Sequence, residues 1–159
     1  MADLYPVAGA KIYIGGVLAT KSTDFIESDF TSQTWVEIDG WQSAGATGDT
    51  SANITTQLIN RGRDVKQKGT RNAGTMENRF AIIAGDAGQA ALIAAEKTKS
   101  NYAFKVVYDD KITGGGTGSE EKFIALVADT ARANGEANTI RMMNGNLDIN
   151  SNIVIKAAT

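Results

Sequence analysis

Apolar and polar residues alternate with a period of two along much of this chain, and that period marks half-buried β-strands. Met76 to Ile83 sets Met76, Asn78, Phe80 and Ile82 against Glu77, Arg79 and Ala81. Tyr102 to Tyr108 sets Tyr102, Phe104, Val106 and Tyr108 against Ala103, Lys105 and Val107. Trp35 to Asp39 and Asn53 to Asn60 alternate in the same way. Lys122 to Ala128 is apolar on both faces and reads as a central strand. The single proline, Pro6, lies near the start, so strands can run without losing ladder donors.

Glycine supplies the turns instead. Gly15-Gly16 predicts a hairpin between Lys11–Ile14 and Val17–Ala19. Asn144-Gly145-Asn146 predicts a tight turn between Thr139–Met143 and Leu147–Ile155. In that last strand Leu147, Ile149, Ile153 and Ile155 face one way, and Asp148, Asn150 and Asn152 the other. A polar stripe opposite an apolar one implies a sheet with one wet side.

One segment departs from the alternation. Asp86 is a good helix N-cap, Gln89 stands three positions on as in a capping box, and an alanine- and leucine-rich run follows. The pattern predicts one helix at about residues 86–98. At 159 residues the chain builds one core, hence one domain over residues 1–159. The expected fold is mostly β: a β-sandwich or partial barrel with one flanking α-helix. Two loops stand out. One, at about residues 60–75, is long and polar and joins two strands. The other, Thr113 to Ser119, is glycine-rich and reads as flexible.

Composition removes whole classes of chemistry. Without cysteine there are no disulfides or thiol nucleophiles, and without histidine there are no Ser-His-Asp triads or histidine metal sites. The net charge of −2 argues against tight nucleic-acid binding by bulk electrostatics. No apolar run approaches the roughly 20 residues that span a bilayer, and the N-terminus lacks the signal-peptide pattern. The chain therefore reads as made and used in a cytoplasm-like compartment, or released from one.

Charge is split unevenly. Ser22 to Asn60 contains no Lys or Arg but carries Asp24, Glu27, Asp29, Glu37, Asp39 and Asp49. Arg61, Arg63, Lys66, Lys68 and Arg71 follow at once, opposed only by Asp64. A basic loop beside an acidic segment suggests that one copy docks on another, with ordinary solvated faces as the plain alternative.

Other motifs carry little. Gly114 to Gly118 lacks the Gly-Lys-Ser/Thr ending of a phosphate loop and leads into a strand. Asn53-Ile54-Thr55 reads as a chance glycosylation match, since no signal-peptide pattern is expected here. Asp109-Asp110 and Glu120-Glu121 are two loose acidic pairs, short of a calcium site. Trp35 and Trp41 would suit a stacking platform but more often are core or interface residues. No carboxylate pair stands out as acid and base, and no cofactor is expected.

The order of elements resembles the tail tube (major tail) proteins of long-tailed bacteriophages, the lambda-type family. The resemblance is clearest from residue 85 onward. There Gly85-Asp86-Ala87-Gly88-Gln89-Ala90-Ala91-Leu92 opens the helix, Tyr102 to Tyr108 follows, then Phe123 to Ala128, then a final strand pair. The resemblance implies a non-enzymatic virion protein made in the host cytoplasm. Its copies form hexameric rings that stack into a tube around the tape-measure protein. Tail-tip and tail-terminator proteins are the further partners, and genomic DNA passes through without specific binding. An additional C-terminal domain carried by some relatives is not expected here. The basic loop, Arg61, Arg63, Asp64, Lys66, Lys68 and Arg71, would contact a neighbour's acidic Asp24–Asp49 region. Thr55, Gln57, Asp148, Asn150 and Asn152 are candidates for the channel lining, since a basic lining would hold phosphates. Rival readings are a tube protein of a contractile tail or secretion-type injection machine, and a monomeric β-sandwich ligand-binding module. An enzyme of unknown type is a more distant one.

Overall fold

The alternating segments become strands, and their apolar faces meet in one core. The computed structural model describes residues 3–159. The strands are β1 (Lys11–Val17), β2 (Val36–Ile38), β3 (Trp41–Ser43), β4 (Thr50–Thr56), β5 (Val65–Asn72), β6 (Thr75–Ala81), β7 (Tyr102–Val107), β8 (Glu120–Asp129), β9 (Arg132–Ala133), β10 (Met142–Ile149) and β11 (Val154–Lys156). The helix α1 (Ala87–Glu96) lies between β6 and β7, and Glu27–Phe30 forms a short 3-10 turn. The main sheet runs β2-β1-β7-β8-β10-β6-β3, with β11 beside β8 and β9 beside β10, every pair antiparallel. It curls into a half-barrel, the second of the two forms, β-sandwich or partial barrel, expected of a mostly-β chain. The central strand is β8, which contributes buried Phe123, Ala125 and Val127 to the inner face and buried Ile124 to the outer one.

Inside the curl, Ile12, Phe80, Phe104, Phe123 and Leu147 pack under Leu92 and Ala95 of α1. Burying each such large side chain stabilises the fold by about 1.5–3 kcal/mol. Helix α1 starts as expected, with Asp86 Oδ2 accepting from the Gln89 amide at 2.9 Å. The Gln89 side chain does not close the capping box. It is buried and ties the helix to the sheet instead: Nε2 donates to the Asp39 and Ala81 carbonyls at 2.9 and 2.8 Å, and Oε1 accepts from the Ile83 amide at 3.2 Å. A Cβ at Gly88 would run into the Glu37 carbonyl, so this glycine lets the helix sit directly on β2.

A second, smaller layer covers part of the sheet's outer face. Phe25 and Phe30 pack on Ala103 and Ile124, with Trp35 and Val154 at the margin. Asn152 clamps this segment down, accepting from the Phe25 amide at 2.7 Å and donating to the Phe25 carbonyl at 3.0 Å. Buried Lys122 pairs with Glu27 and, at 3.3 Å, with Glu120.

Four expectations are corrected. Gly15-Gly16 is no hairpin: β1 runs straight through it, with a register shift against β7. A side chain at Gly15 would meet Gln33, Trp35 and Ala103, and the Gly16 amide donates to Gln33 Oε1 at 2.8 Å. These glycines admit a covering segment; they do not reverse the chain. Asn144-Gly145-Asn146 is likewise the middle of β10, where a Cβ on Gly145 would collide with Phe80. The final strand breaks after Ile149, and Ile155 ends up 69% exposed on β11 and not in the core. The stretch at residues 60–75 is no loop either, since Val65–Asn72 is strand β5, paired with β4. Cross-strand hydrogen bonding there overrides the polar composition that made the segment look irregular.

Candidate assembly surfaces

Strands β4 and β5 form a two-stranded sheet of their own, separate from the half-barrel. Neither packs extensively on any element but the other. Every residue of β4 is exposed, and in β5 only Val65 and Gly69 are half-buried. This is an arm. Its base is fixed by Asp49 Oδ2, which accepts from Arg71 Nε at 3.2 Å and pairs with Nη2 at 3.2 Å, and by Thr50 Oγ1 donating to the Asn72 carbonyl at 2.9 Å.

The pairing register gives the arm two faces. Asn53 opposes Lys68 and Thr55 opposes Lys66, which sets both lysines on one side. Ile54 opposes Gln67 and Thr56 opposes Val65 on the other, where Ile54 and Ala52 both lie beside Gly69. The tip, between the strands, carries Arg61, Arg63 and Asp64 together with exposed Leu58 and Ile59. Among the described residues Arg61, Arg63, Lys66 and Lys68 make no ion pair. The apolar face is not legible in the sequence, where Ile54 falls in an alternating strand and Val65 in a polar, glycine-punctuated stretch. Once the two are paired, the alternation on both strands shows it.

The acidic residues do not form one face. Asp29 pairs with Lys21 at 2.6 Å, and that hydrogen bond, with one from the Ile26 amide, holds its carboxyl below the usual carboxylate range. Glu27 pairs with Lys122, and Asp49 with Arg71. Glu37 and Asp39 lie at the end of β2 beside the helix start, where the Asp39 amide donates to Asp86 Oδ2 at 3.3 Å. Exposed Asp24 shares with Asp49 a cleft at the arm's base, also lined by Arg71, Asn150 and Asn152.

The lining candidates separate too. Thr55 sits among the arm's lysines, and Gln57 follows at the end of β4. Asp148 lies on the outer face of β10, accepting from Thr75 Oγ1 at 2.6 Å. Asn150 donates to Asn101 at 2.8 Å just beyond the strand, and Asn152 is the clamp on Phe25. The outer face of β6 and β10 carries Thr75, Glu77, Arg79, Asn144, Asn146 and Asp148 in register. No apolar layer covers this part of the sheet among the described residues. Glu77, Asn144 and Asn146 were missed because the assumed turn at residues 144–146 cut the stripe in two.

The remaining motifs resolve into structure. Trp41 Nε1 donates to buried Asn78 at 3.2 Å, whereas Trp35 lies on the opposite face over Lys105, so they form no common platform. Asp110 accepts from the Ser119 hydroxyl and amide at 2.6 Å each, which pulls its carboxyl down. Glu121 takes the Thr47 hydroxyl at 2.6 Å. Among the described residues no cluster of three acidic side chains is placed to hold a metal, and no helix is long and apolar enough to cross a membrane.

No family model matches the chain, and no curated protein matches it. Solved structures do. The tail tube of SPP1 superposes with a TM-score of 0.68 at 15% identity, over 96% of this chain and 80% of that one. The sheath/tube terminator of the PVC extracellular contractile injection system gives 0.70 at 12% identity, over 98% and 99%. The tube-terminating cap of the anti-feeding prophage gives 0.65 at 14% identity, over 99% and 95%. The chain thus has the fold of phage tail tubes and of the tube-end proteins of injection machines.

Proposed function

We propose that this chain is a structural subunit of a phage tail or related injection machine, and that its copies assemble into a tube. The observation that carries the reading is the arm: on a tail-tube fold, it extends two sequence-distinct faces that are left largely exposed among the described residues. An isolated two-stranded sheet is marginal in water, so the arm gains its stability from a neighbour. Ile54, Val65, Leu58 and Ile59 supply apolar area. Arg61, Arg63, Lys66 and Lys68 steer encounter with acidic groups of the next copy, Asp24 foremost, because three of the other five carboxylates are already paired within the chain. Individual exposed ion pairs contribute only about 0–1 kcal/mol, which leaves the apolar face as the larger part.

Copies related by a heterologous contact close into rings or extend into filaments. Hexameric rings stacked around a tape-measure protein, capped by tail-tip and terminator proteins and later passing DNA, fit this arrangement. The wall would be the uncovered face of β6 and β10, whose cations are limited to Arg79. The role is structural, and no catalysis is assigned to the chain. The likeness to contractile injection machines keeps a sheathed tube as the second reading, which a surrounding sheath in the parent particle would establish.

The test is negative-stain electron microscopy of concentrated protein, alone and with tail-tip components. Hollow tubes or rings are expected, and monomers under both conditions would refute the reading. Arg63→Glu with Lys66→Glu is expected to slow assembly, and Ile54→Asp with Ile59→Asp to abolish it. Both variants should keep the parent's circular dichroism, since the arm lies outside the core.

A further inference from the structure

The chain contains two Asn-Gly pairs, and the fold places them in opposite situations. Asn144-Gly145 is the stronger turn signal by its flanking residues but lies in the middle of β10. Gly145 is buried opposite Asn78, whose Nδ2 donates to its carbonyl at 3.2 Å, and the Asn144 amide donates to the Ala131 carbonyl at 2.8 Å. Asn134-Gly135 lies in irregular chain after β9, just before a turn closed by the Thr139 amide donating to the Glu136 carbonyl at 3.1 Å, and every residue from 131 to 141 is exposed. Gly135 has φ +74, in the left-handed region.

Three features of this segment bear on its chemistry. The Gly135 amide donates no hydrogen bond among the described residues, although the next amide, Glu136, is held by Thr139 Oγ1 at 2.8 Å. The glycine has no Cβ to block the approach of its nitrogen to the preceding side chain. Arg141 Nε donates to Asn134 Oδ1 at 3.0 Å. A cationic donor on that oxygen draws electron density from Cγ and stabilises the oxyanion that forms when a nucleophile adds there.

We propose that Asn134 is a site of spontaneous backbone-assisted deamidation, promoted by Arg141, and that Asn144 is protected from the same reaction by its place in β10. The Gly135 nitrogen loses its proton to base and attacks Asn134 Cγ. The N–Cγ bond forms, the Cγ–Nδ2 bond breaks, and Nδ2 leaves as ammonia after taking up a proton. Water then opens the resulting succinimide at either carbonyl, giving aspartate or isoaspartate. The aspartate product puts a carboxylate beside Arg141. The isoaspartate product lengthens the backbone by one methylene just beyond Ala133, which pairs with Met142 in the β9–β10 ladder. At Asn144 the extended backbone is held on both sides by pairing, so the nitrogen and Cγ are not free to rotate together.

The experiment is incubation of the intact folded protein in mildly alkaline buffer, followed by peptide mapping with mass spectrometry. The expected result is a gain of about one dalton, with split aspartate and isoaspartate peaks, in the peptide containing Asn134 and not in the one containing Asn144. In the urea-unfolded chain both sites should react at similar rates, which shows that the fold makes the difference. Gly135→Ala should slow the reaction sharply, and Arg141→Gln should slow it several-fold. Equal rates at the two sites in the folded protein would overturn the proposal, as would an Asn134 more stable folded than unfolded. An unchanged rate in Arg141→Gln would remove the role of the guanidinium.

Discussion

At the scale of single residues, the polar groups inside this protein act as fasteners between elements. Asn78, on the apolar stripe of β6, accepts from Trp41 Nε1 and from the Gly45 amide at 3.2 and 3.1 Å, and donates to the Gly145 carbonyl. Gln89 does the same between helix and sheet. Gln89→Ala leaves the carbonyls of Asp39 and Ala81 and the Ile83 amide without that partner, so it should cost about 1–3 kcal/mol in chemical denaturation. Tyr108 gives a pH test. Burial, with the Glu121 carboxylate beside it, pushes its phenol up from 10.0 to about 12. A raised folded value means that the folded state keeps a proton the unfolded chain loses. The associated stability is intact below pH 10.0 and is lost as pH rises toward about 12. Tyr108→Phe should flatten the alkaline fall in thermal stability across that window. Asp86 and Gln89 were legible in the sequence as a helix start. The second role of Gln89 was not, because its carbonyl partners are brought near only by the curl of the sheet.

Among the elements, helix α1 and strands β6, β7 and β8 were legible because each buries a regular apolar face, and burial enforces the period. The arm was not. Its strands bury nothing within the chain, so Val65–Asn72 reads as a charged, glycine-punctuated loop until it is paired with Thr50–Thr56. The two glycine signals failed for a related reason. Gly15 and Gly145 are glycines because another side chain occupies the space of a Cβ, and a turn preference cannot be told from a packing need in one sequence. Hydrogen exchange should separate the elements. Amides of β4 and β5 are expected to exchange orders of magnitude faster than those of β7 and β8 in the free subunit, and to gain protection on assembly. Equal protection in the free subunit would mean that the arm is stable alone.

For the whole molecule, the arm and the polar face of β6 and β10 lie uncovered among the described residues, and they belong to different parts of the fold. Assembly that depends on the arm's cations should slow as ionic strength rises, since the Debye length shrinks from about 10 Å at 0.1 M to about 3 Å at 1 M. Contacts through Ile54 and Ile59 should persist. Light-scattering time courses in a salt series would therefore show slower onset with a similar final extent, and complete loss at high salt would put the weight on charge instead. By itself the sequence determined a mostly-β domain with one helix, the central place of β8, the lack of histidine and cysteine chemistry, and a basic segment set against an acidic one. These follow from periodicity and composition, which are local. Only the tertiary structure decided that the basic segment is a paired arm, that the acidic residues are scattered and partly neutralised, and which polar stripe remains open. Those outcomes depend on which distant strands pair and on what lies over each face, and no local pattern encodes either.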